Sequence, residues 1–100
     1  MKPRIAAVAI VGLLSASSAL AVDLLAGQRL YNLHCASCHG VTGTPITPET
    51  PNLAMREGMA QPDIVLMQTL KVGKKAMPPY FGLLKDQDLL NILSYIRTMR

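Results

Sequence analysis

The sequence has few aromatic and few charged residues: it contains no Trp, one Phe and two Cys, and only 16% of its residues are charged. It has no long basic run and no regularly spaced aromatics, so it lacks the marks of a nucleic-acid-binding surface. A length of 100 residues also excludes a repeat array, a large α/β fold and a polytopic membrane protein. We therefore expect one small domain with little apolar bulk of its own for a core.

The N-terminus has the features of a secretory leader. A basic start with Lys2 and Arg4 precedes an apolar run over 5–14 and an A-x-A sequence that ends at Ala21. Ten residues span about 15 Å as a helix, about half of what a bilayer core requires, so an uncleaved membrane anchor is the less favoured alternative. We predict that residues 1–21 are a cleaved signal peptide and that the mature chain is periplasmic, with no membrane span. Loss of Lys2 and Arg4 lowers the formal charge from +4 to +2.

The segment Cys35-Ala36-Ser37-Cys38-His39 is the most informative part of the chain. Two thiols one turn apart can form thioethers with the vinyl groups of haem, and the adjacent histidine can then bind the iron. A zinc site would need two more ligands, and His34 is the only other Cys or His. A thioredoxin-like dithiol would need a βαβ context, which the sequence does not indicate. We predict one covalent haem c, held by Cys35 and Cys38 with His39 as an axial ligand.

The second axial ligand is predicted to be Met77. His34 adjoins the haem motif on the proximal side and cannot reach the opposite face of the ring. Met77 lies between two helical patterns and is followed by two prolines, which stiffen the backbone and prevent a helix. Most other methionines are expected to fill the core. The alternatives, in order, are Met59 and then a lysine, Lys74 or Lys75.

Hydrophobic periodicity predicts three helices in the mature chain. The first covers about 23–33, with Gly27 expected to face another helix at close range. The second covers about 62–73, and the third extends from about residue 86 to the C-terminal residues. Residues 40–58 contain three prolines and no clear period, so we expect a loop there. The domain is thus predicted to be all-α, with long loops around the haem.

Over residues 22–100 this order of elements resembles the small bacterial class I c-type cytochromes. The resemblance implies the cytochrome c fold and one haem with His/Met ligation. It also implies that the first helix, through Gly27 and Tyr31, crosses the last helix at Tyr95. The resemblance further implies a Pro-x-Leu segment beside the haem, in which the Pro51 carbonyl accepts a hydrogen bond from the ligand histidine and Leu53 packs on the ring.

The function implied is electron transfer in the periplasm, with the iron cycling between Fe(II) and Fe(III) and no enzymatic activity. Partners would be redox proteins met in transient complexes, with the chain itself a monomer. A cationic docking rim is expected from four lysines: Lys71, Lys74, Lys75 and Lys85. One alternative is a dedicated haem subunit of a periplasmic oxidoreductase, docked through the apolar residues Tyr80, Phe81, Leu83 and Leu84. Another is a haem-based ligand sensor with a labile Met77.

Overall fold

A computed structural model describes residues 21–100, so the predicted leader lies outside the described residues except for its last residue, Ala21. This part of the chain contains four helices and no strand, which confirms the all-α prediction. Across 21–100 no helix is long and apolar enough to cross a bilayer. The helices are α1 (Leu24–His34), α2 (Ala36–His39), α3 (Asp63–Val72) and α4 (Asp86–Ile96).

The first two helices flank Cys35. Helix α1 begins after Asp23, whose Oδ1 accepts a hydrogen bond from the Ala26 N–H at 2.9 Å and so caps a free helical donor. It ends at His34, one residue beyond the predicted end. Helix α2 is a single turn inside the haem motif and was not predicted, because four residues are too few to show a helical period.

Helices α3 and α4 begin where the sequence indicates, but α4 ends early. Its first turn is closed by Asp88, whose Oδ2 accepts from the Lys85 N–H at 3.0 Å. The predicted continuation to the C-terminus is wrong, since α4 ends at Ile96. Beyond it, the Thr98 N–H donates to the Tyr95 carbonyl at 3.0 Å, a bond to the third residue back that tightens the chain into a turn.

Helices α1 and α4 cross at Gly27, as expected. A Cβ on Gly27 would overlap the Asn91 carbonyl group, so the absence of a side chain is what permits this approach. Next to the crossing the rings of Tyr31 and Tyr95 pack with centroids 5.5 Å apart and planes tilted by 56°. The predicted contact between the first and last helices is therefore confirmed.

A buried asparagine stabilises the same crossing. Asn91 lies on the apolar side of α4 and is 5% exposed. Its Oδ1 accepts from the Asp23 N–H at 3.0 Å and from Gln87 Nε2 at 2.9 Å. Both bonds offset the cost of burying the amide oxygen and tie the start of α1 to α4.

Arg97, just beyond α4, anchors the loop that leads into α3. Its guanidinium donates to Asp63 Oδ1 at 2.9 Å and to the carbonyls of Met59 at 3.1 Å and Gln61 at 2.8 Å. The sequence suggests only that a basic side chain here complements the helix dipole. The structure instead uses the fork of donors to bind a neighbouring segment.

The buried side chains form two small clusters, both resting on α4. The first joins α1, the Pro-x-Leu segment and the end of the chain, and consists of Tyr31, Ala36, Leu53, Ile92, Ile96 and Met99. The second joins α3, α4 and the segment after Met77, and consists of Met67, Tyr80, Leu89 and Leu93. Helix α4 therefore organises the domain by contributing to both clusters.

Candidate haem site

The motif residues are presented from one helical turn. The His39 N–H donates to the Cys35 carbonyl at 2.9 Å, which places the imidazole directly after the two thiols on the same turn. Cys35 is half-buried and Cys38 is exposed, and neither forms a disulfide. Burial, with a smaller contribution from the Cys38 charge, raises the pKa of the Cys35 thiol to about 11 before any attachment. The free thiol is therefore protonated at neutral pH.

His39 is oriented by a backbone carbonyl twelve positions away. Its Nδ1 lies 3.2 Å from the Pro51 carbonyl oxygen, the contact that the Pro-x-Leu segment was expected to make. A carbonyl can only accept, so the tautomer that donates here carries its proton on Nδ1. The lone pair of a neutral imidazole then resides on Nε2, which leaves that atom free to bind a metal.

The Pro51–Leu53 segment is held in place from both ends. The Leu53 N–H donates to the Gly43 carbonyl at 2.9 Å, and the Leu53 side chain is buried in the first cluster. Pro51 is exposed apart from its carbonyl contact with His39. The packing of Leu53 against a haem ring stays a prediction.

Met77 lies at the end of a tight turn. Two backbone hydrogen bonds close the turn, from the Lys74 N–H to the Met77 carbonyl at 3.1 Å and from the Met77 N–H to the Lys74 carbonyl at 2.9 Å. Lys75 has a positive φ of 55°, as the first central residue of a type II′ turn does. The half-buried Met77 is therefore held on a short rigid segment at the end of α3.

Gly73 allows this turn to pack back on α3. Its φ is 76° and its ψ is 171°, a conformation that is essentially restricted to glycine. A Cβ there would lie 2.7 Å from the Met77 carbonyl oxygen and 2.9 Å from the Pro79 nitrogen. The position of Met77 thus depends on a residue without a side chain.

The other four candidate methionines occupy different surroundings. Met67 and Met99 are buried in the two clusters, as expected for core side chains. Met59, the second choice for the distal ligand, packs against the first cluster, and Met55 is exposed. Met59 also ends a turn, since its N–H donates to the Arg56 carbonyl at 3.1 Å, but only Met77 is followed by two prolines.

An apolar groove begins beside the Met77 turn. It is a shallow groove, open to solvent, with a volume of about 590 Å³. It is lined by Ile64, Val65, Gln68, Thr69, Val72, Gly73 and Lys74. Several large apolar side chains, among them Val41, Ile46 and Val72, are exposed in the polypeptide. None of Cys35, Cys38, His39 and Met77 lines the groove. The fit to haem therefore rests on the donor set, since two thiols and an imidazole with a free Nε2 are the groups that attach an iron-containing apolar macrocycle.

Comparison with known proteins identifies the group to which the chain belongs. A family model described as cytochrome c oxidase, cbb3-type, subunit III matches residues 22–96. The chain belongs to the class I c-type cytochromes. Cytochrome c6 of Thermosynechococcus vestitus is 32% identical, over 96% of this chain and 91% of its own length. Cytochrome c6 of Nostoc sp. is also 32% identical, over 80% and 74% respectively.

Family membership settles the cofactor and the general function. This cytochrome carries one covalently bound haem c and is a mono-haem electron-transfer protein, a carrier and not an enzyme. Across residues 21–100 no three His, Cys, Asp or Glu side chains come together in a group that could hold a metal ion.

Two features of the expected docking surface differ in the structure. Lys71 Nζ lies 2.8 Å from Asp86 Oδ1, so one of the four lysines is already paired. The apolar patch is also smaller than expected, because Tyr80 is buried in the second cluster and its hydroxyl donates to the His34 carbonyl at 3.0 Å. The sequence could not distinguish a buried aromatic from an exposed one in this non-periodic segment. Phe81 and Leu83 are strongly exposed, at 81% and 65%.

Proposed function

We propose that this cytochrome is an exported electron carrier whose iron is bound by His39 and Met77. The observation that supports the proposal is the 3.2 Å contact between His39 Nδ1 and the Pro51 carbonyl, which leaves Nε2 available to bind a metal. Bound haem supplies one-electron Fe(II)/Fe(III) chemistry, and a thioether ligand raises the reduction potential. With His39 and Met77 both acting as ligands, the iron would have no vacancy for a substrate.

Each proposed site residue has a separate task. Cys35 and Cys38 tether the cofactor through thioethers, which prevents its loss to the surrounding solution. His39 binds the iron, and its bond to the Pro51 carbonyl restricts ring rotation and increases the basicity of Nε2. Met77 would supply the second ligand from a turn that two backbone hydrogen bonds close, which restricts the movement of its side chain.

The ligand assignment is tested by the visible spectrum and reduction potential of protein produced with haem-maturation machinery. We expect Met77→Ala to lose the methionine–ferric charge-transfer band and to have a lower potential. Met59→Ala is the matched control, since its side chain packs against the first cluster, and it should retain both properties. A Met77→Ala protein with the wild-type spectrum and potential would show that another residue is the ligand.

Export to the periplasm is supported by the basic start, the apolar run and the A-x-A sequence of residues 1–21. Covalent attachment of haem to this motif in bacteria takes place on the outer side of the inner membrane, which agrees with export. Mass analysis of the haem-loaded protein from the periplasm should give a chain that starts at Val22. Retention of the intact N-terminus in the membrane fraction would contradict cleavage.

The surface around the Met77 turn supports docking to an acidic redox partner. Lys74, Lys75 and Lys85 are exposed, and the exposed apolar side chains of Phe81 and Leu83 lie between them in the chain. Cations around a small apolar centre increase the association rate with an acidic surface and allow rapid release. We expect the second-order rate of electron transfer to fall with ionic strength. A rate that does not change with salt would exclude electrostatic docking.

A second candidate is a permanent haem subunit of an oxidoreductase. It is favoured by the matching family model, whose description is an oxidase subunit, and by the exposed Phe81 and Leu83. Purification from the native source under mild conditions distinguishes the two functions. A carrier elutes as a monomer, whereas a subunit elutes in a stable stoichiometric complex.

A sensor function is tested on the same material. Rapid binding of carbon monoxide to the reduced wild-type protein would indicate a labile Met77 and favour the sensor. A carrier with a firmly held thioether should bind carbon monoxide slowly or not at all.

A further inference from the structure

Tyr80 joins the Met77 turn to the haem motif. It lies three residues beyond Met77 and is 7% exposed. Its hydroxyl donates to the carbonyl of His34, 46 positions away, at 3.0 Å. The His34 ring also meets the Tyr80 ring edge-on, with centroids 5.7 Å apart. His34 immediately precedes Cys35, so this contact joins the segments that carry the two sides of the proposed haem site.

The backbone of Tyr80 is fixed independently of its hydroxyl. Its N–H donates to the Leu70 carbonyl at 2.9 Å, which ties it to the last turns of α3. Its own carbonyl accepts from the N–H groups of Leu83 at 3.0 Å and Leu84 at 3.1 Å. With the main chain held in this way, the hydroxyl is placed to set the distance between the α3 side and the α1 side of the domain.

The acceptor of this bond is suited to the task. His34 is the last residue of α1, and the final carbonyl groups of a helix have no donor within the helix. A tyrosine hydroxyl that reaches such a carbonyl satisfies it and thereby fixes the end of the helix. A phenylalanine at position 80 would fill the same space without this bond.

We propose that the Tyr80 hydroxyl is a positioning group that holds the Met77 turn against the haem motif. The proposal rests on the proposed function, in which Met77 binds the iron. Loss of the hydroxyl leaves the turn intact but lets it move away from the motif, so that the bond from the Met77 sulfur to the iron opens more often. Global folding depends mainly on the α1–α4 crossing and changes less.

The test is imidazole binding to the ferric, haem-loaded protein, because imidazole binds only when the methionine has left the iron. Tyr80→Phe should increase the apparent affinity for imidazole about three- to tenfold, the range expected for one lost hydrogen bond. Tyr31→Phe is the matched control. It removes another buried hydroxyl, which donates to the Gly40 carbonyl at 2.6 Å, and it should change the affinity less than about twofold.

A second variant separates the hydrogen bond from the ring contact. His34→Ala keeps the main-chain carbonyl that accepts from Tyr80 and removes only the imidazole ring. We expect its affinity for imidazole to match the wild-type value. An effect as large as that of Tyr80→Phe would assign the role to ring packing and overturn the proposal.

The remaining outcomes are equally decisive. Unchanged imidazole affinity in Tyr80→Phe, or an equal increase in Tyr31→Phe, overturns the proposal. A Tyr80→Phe protein that fails to take up haem, while Tyr31→Phe takes it up, also overturns it.

The spectrum of Met77→Ala tests the ligand assignment separately. If that variant keeps the methionine band, the ligand assignment is wrong. If it loses the band while Tyr80→Phe behaves as wild type, only the role of Tyr80 is refuted.

Discussion

Replacement of Gly73 by alanine tests whether the end of α3 holds the Met77 turn in place. The backbone at Gly73 has a φ of 76° and a ψ of 171°, and forcing a residue with a side chain into this region costs about 1–3 kcal/mol. The added Cβ would also lie 2.7 Å from the Met77 carbonyl oxygen and 2.9 Å from the Pro79 nitrogen. Both are backbone atoms, so relief requires the turn itself to shift, which costs about another 1–3 kcal/mol. We therefore expect Gly73→Ala to lower the free energy of unfolding by about 2–6 kcal/mol.

Gly82→Ala is the matched control for this substitution. Gly82 also has a positive φ, 79°, but a Cβ there would have no neighbour within 4 Å. Its cost should be limited to the backbone contribution of about 1–2 kcal/mol. The excess destabilisation of Gly73→Ala over Gly82→Ala then measures the contact with the turn together with any difference in backbone cost between the two positions.

The assay is urea unfolding of the haem-loaded variants, followed by circular dichroism and by the haem absorption. Because the Met77 turn must move, Gly73→Ala should also weaken the methionine–ferric band, whereas Gly82→Ala should preserve it. Equal stabilities for the two variants, together with identical ferric spectra, would refute the argument that Gly73 positions Met77.

Three further substitutions test the rest of the framework. Gly27→Ala should cost about 1–3 kcal/mol in urea unfolding, because its methyl group would overlap the Asn91 carbonyl; wild-type stability would contradict the close crossing. Burial raises the pKa of Tyr31 from 10.0 to about 12, so the folded protein holds this proton more tightly than the unfolded chain does. Its contribution to the free energy of unfolding is therefore complete below pH 10 and should be lost by pH 12, at about 1.4 kcal/mol per pH unit. Tyr31→Phe should remove this contribution, so that its free energy of unfolding falls less steeply between pH 10 and pH 12. Arg97→Met should cost about 1–2 kcal/mol by freeing the loop before α3, while Arg100→Met at the exposed C-terminal residue should stay within about 0.5 kcal/mol; equal effects would argue against a specific anchor.

Patterns local in sequence led to correct predictions. Three helices begin close to the predicted residues because capping groups such as Asp23 and the helical periods lie within one or two turns of chain. The end of α4 was predicted wrongly because the local apolar period continues past the last helical residue. Its apolar period continues to Met99, but the Thr98 N–H bonds to the third residue back, and Arg97 turns to a distant loop.

Contacts between residues far apart in the chain left weak signals in the sequence or none. The environment of Tyr80 in the sequence is a short run of prolines and apolar residues, which does not reveal that its hydroxyl meets His34. Asn91 likewise reads as a polar interruption of an apolar stripe, yet it is buried and accepts two hydrogen bonds. Such pairings depend on how helices cross, and the residue type at one position does not indicate which distant residue it contacts.

The sequence by itself determined the haem-attachment motif, because thioether formation depends on the spacing of a few consecutive residues. It also determined the all-α class and the small set of candidate ligands, because helical periods and residue types can be read directly along the chain. Tertiary structure alone decided which lysine is already paired with Asp86 and which aromatic joins the Met77 turn to the motif. Those outcomes depend on distances between segments far apart in the chain, which are set only when α4 packs with both α1 and α3.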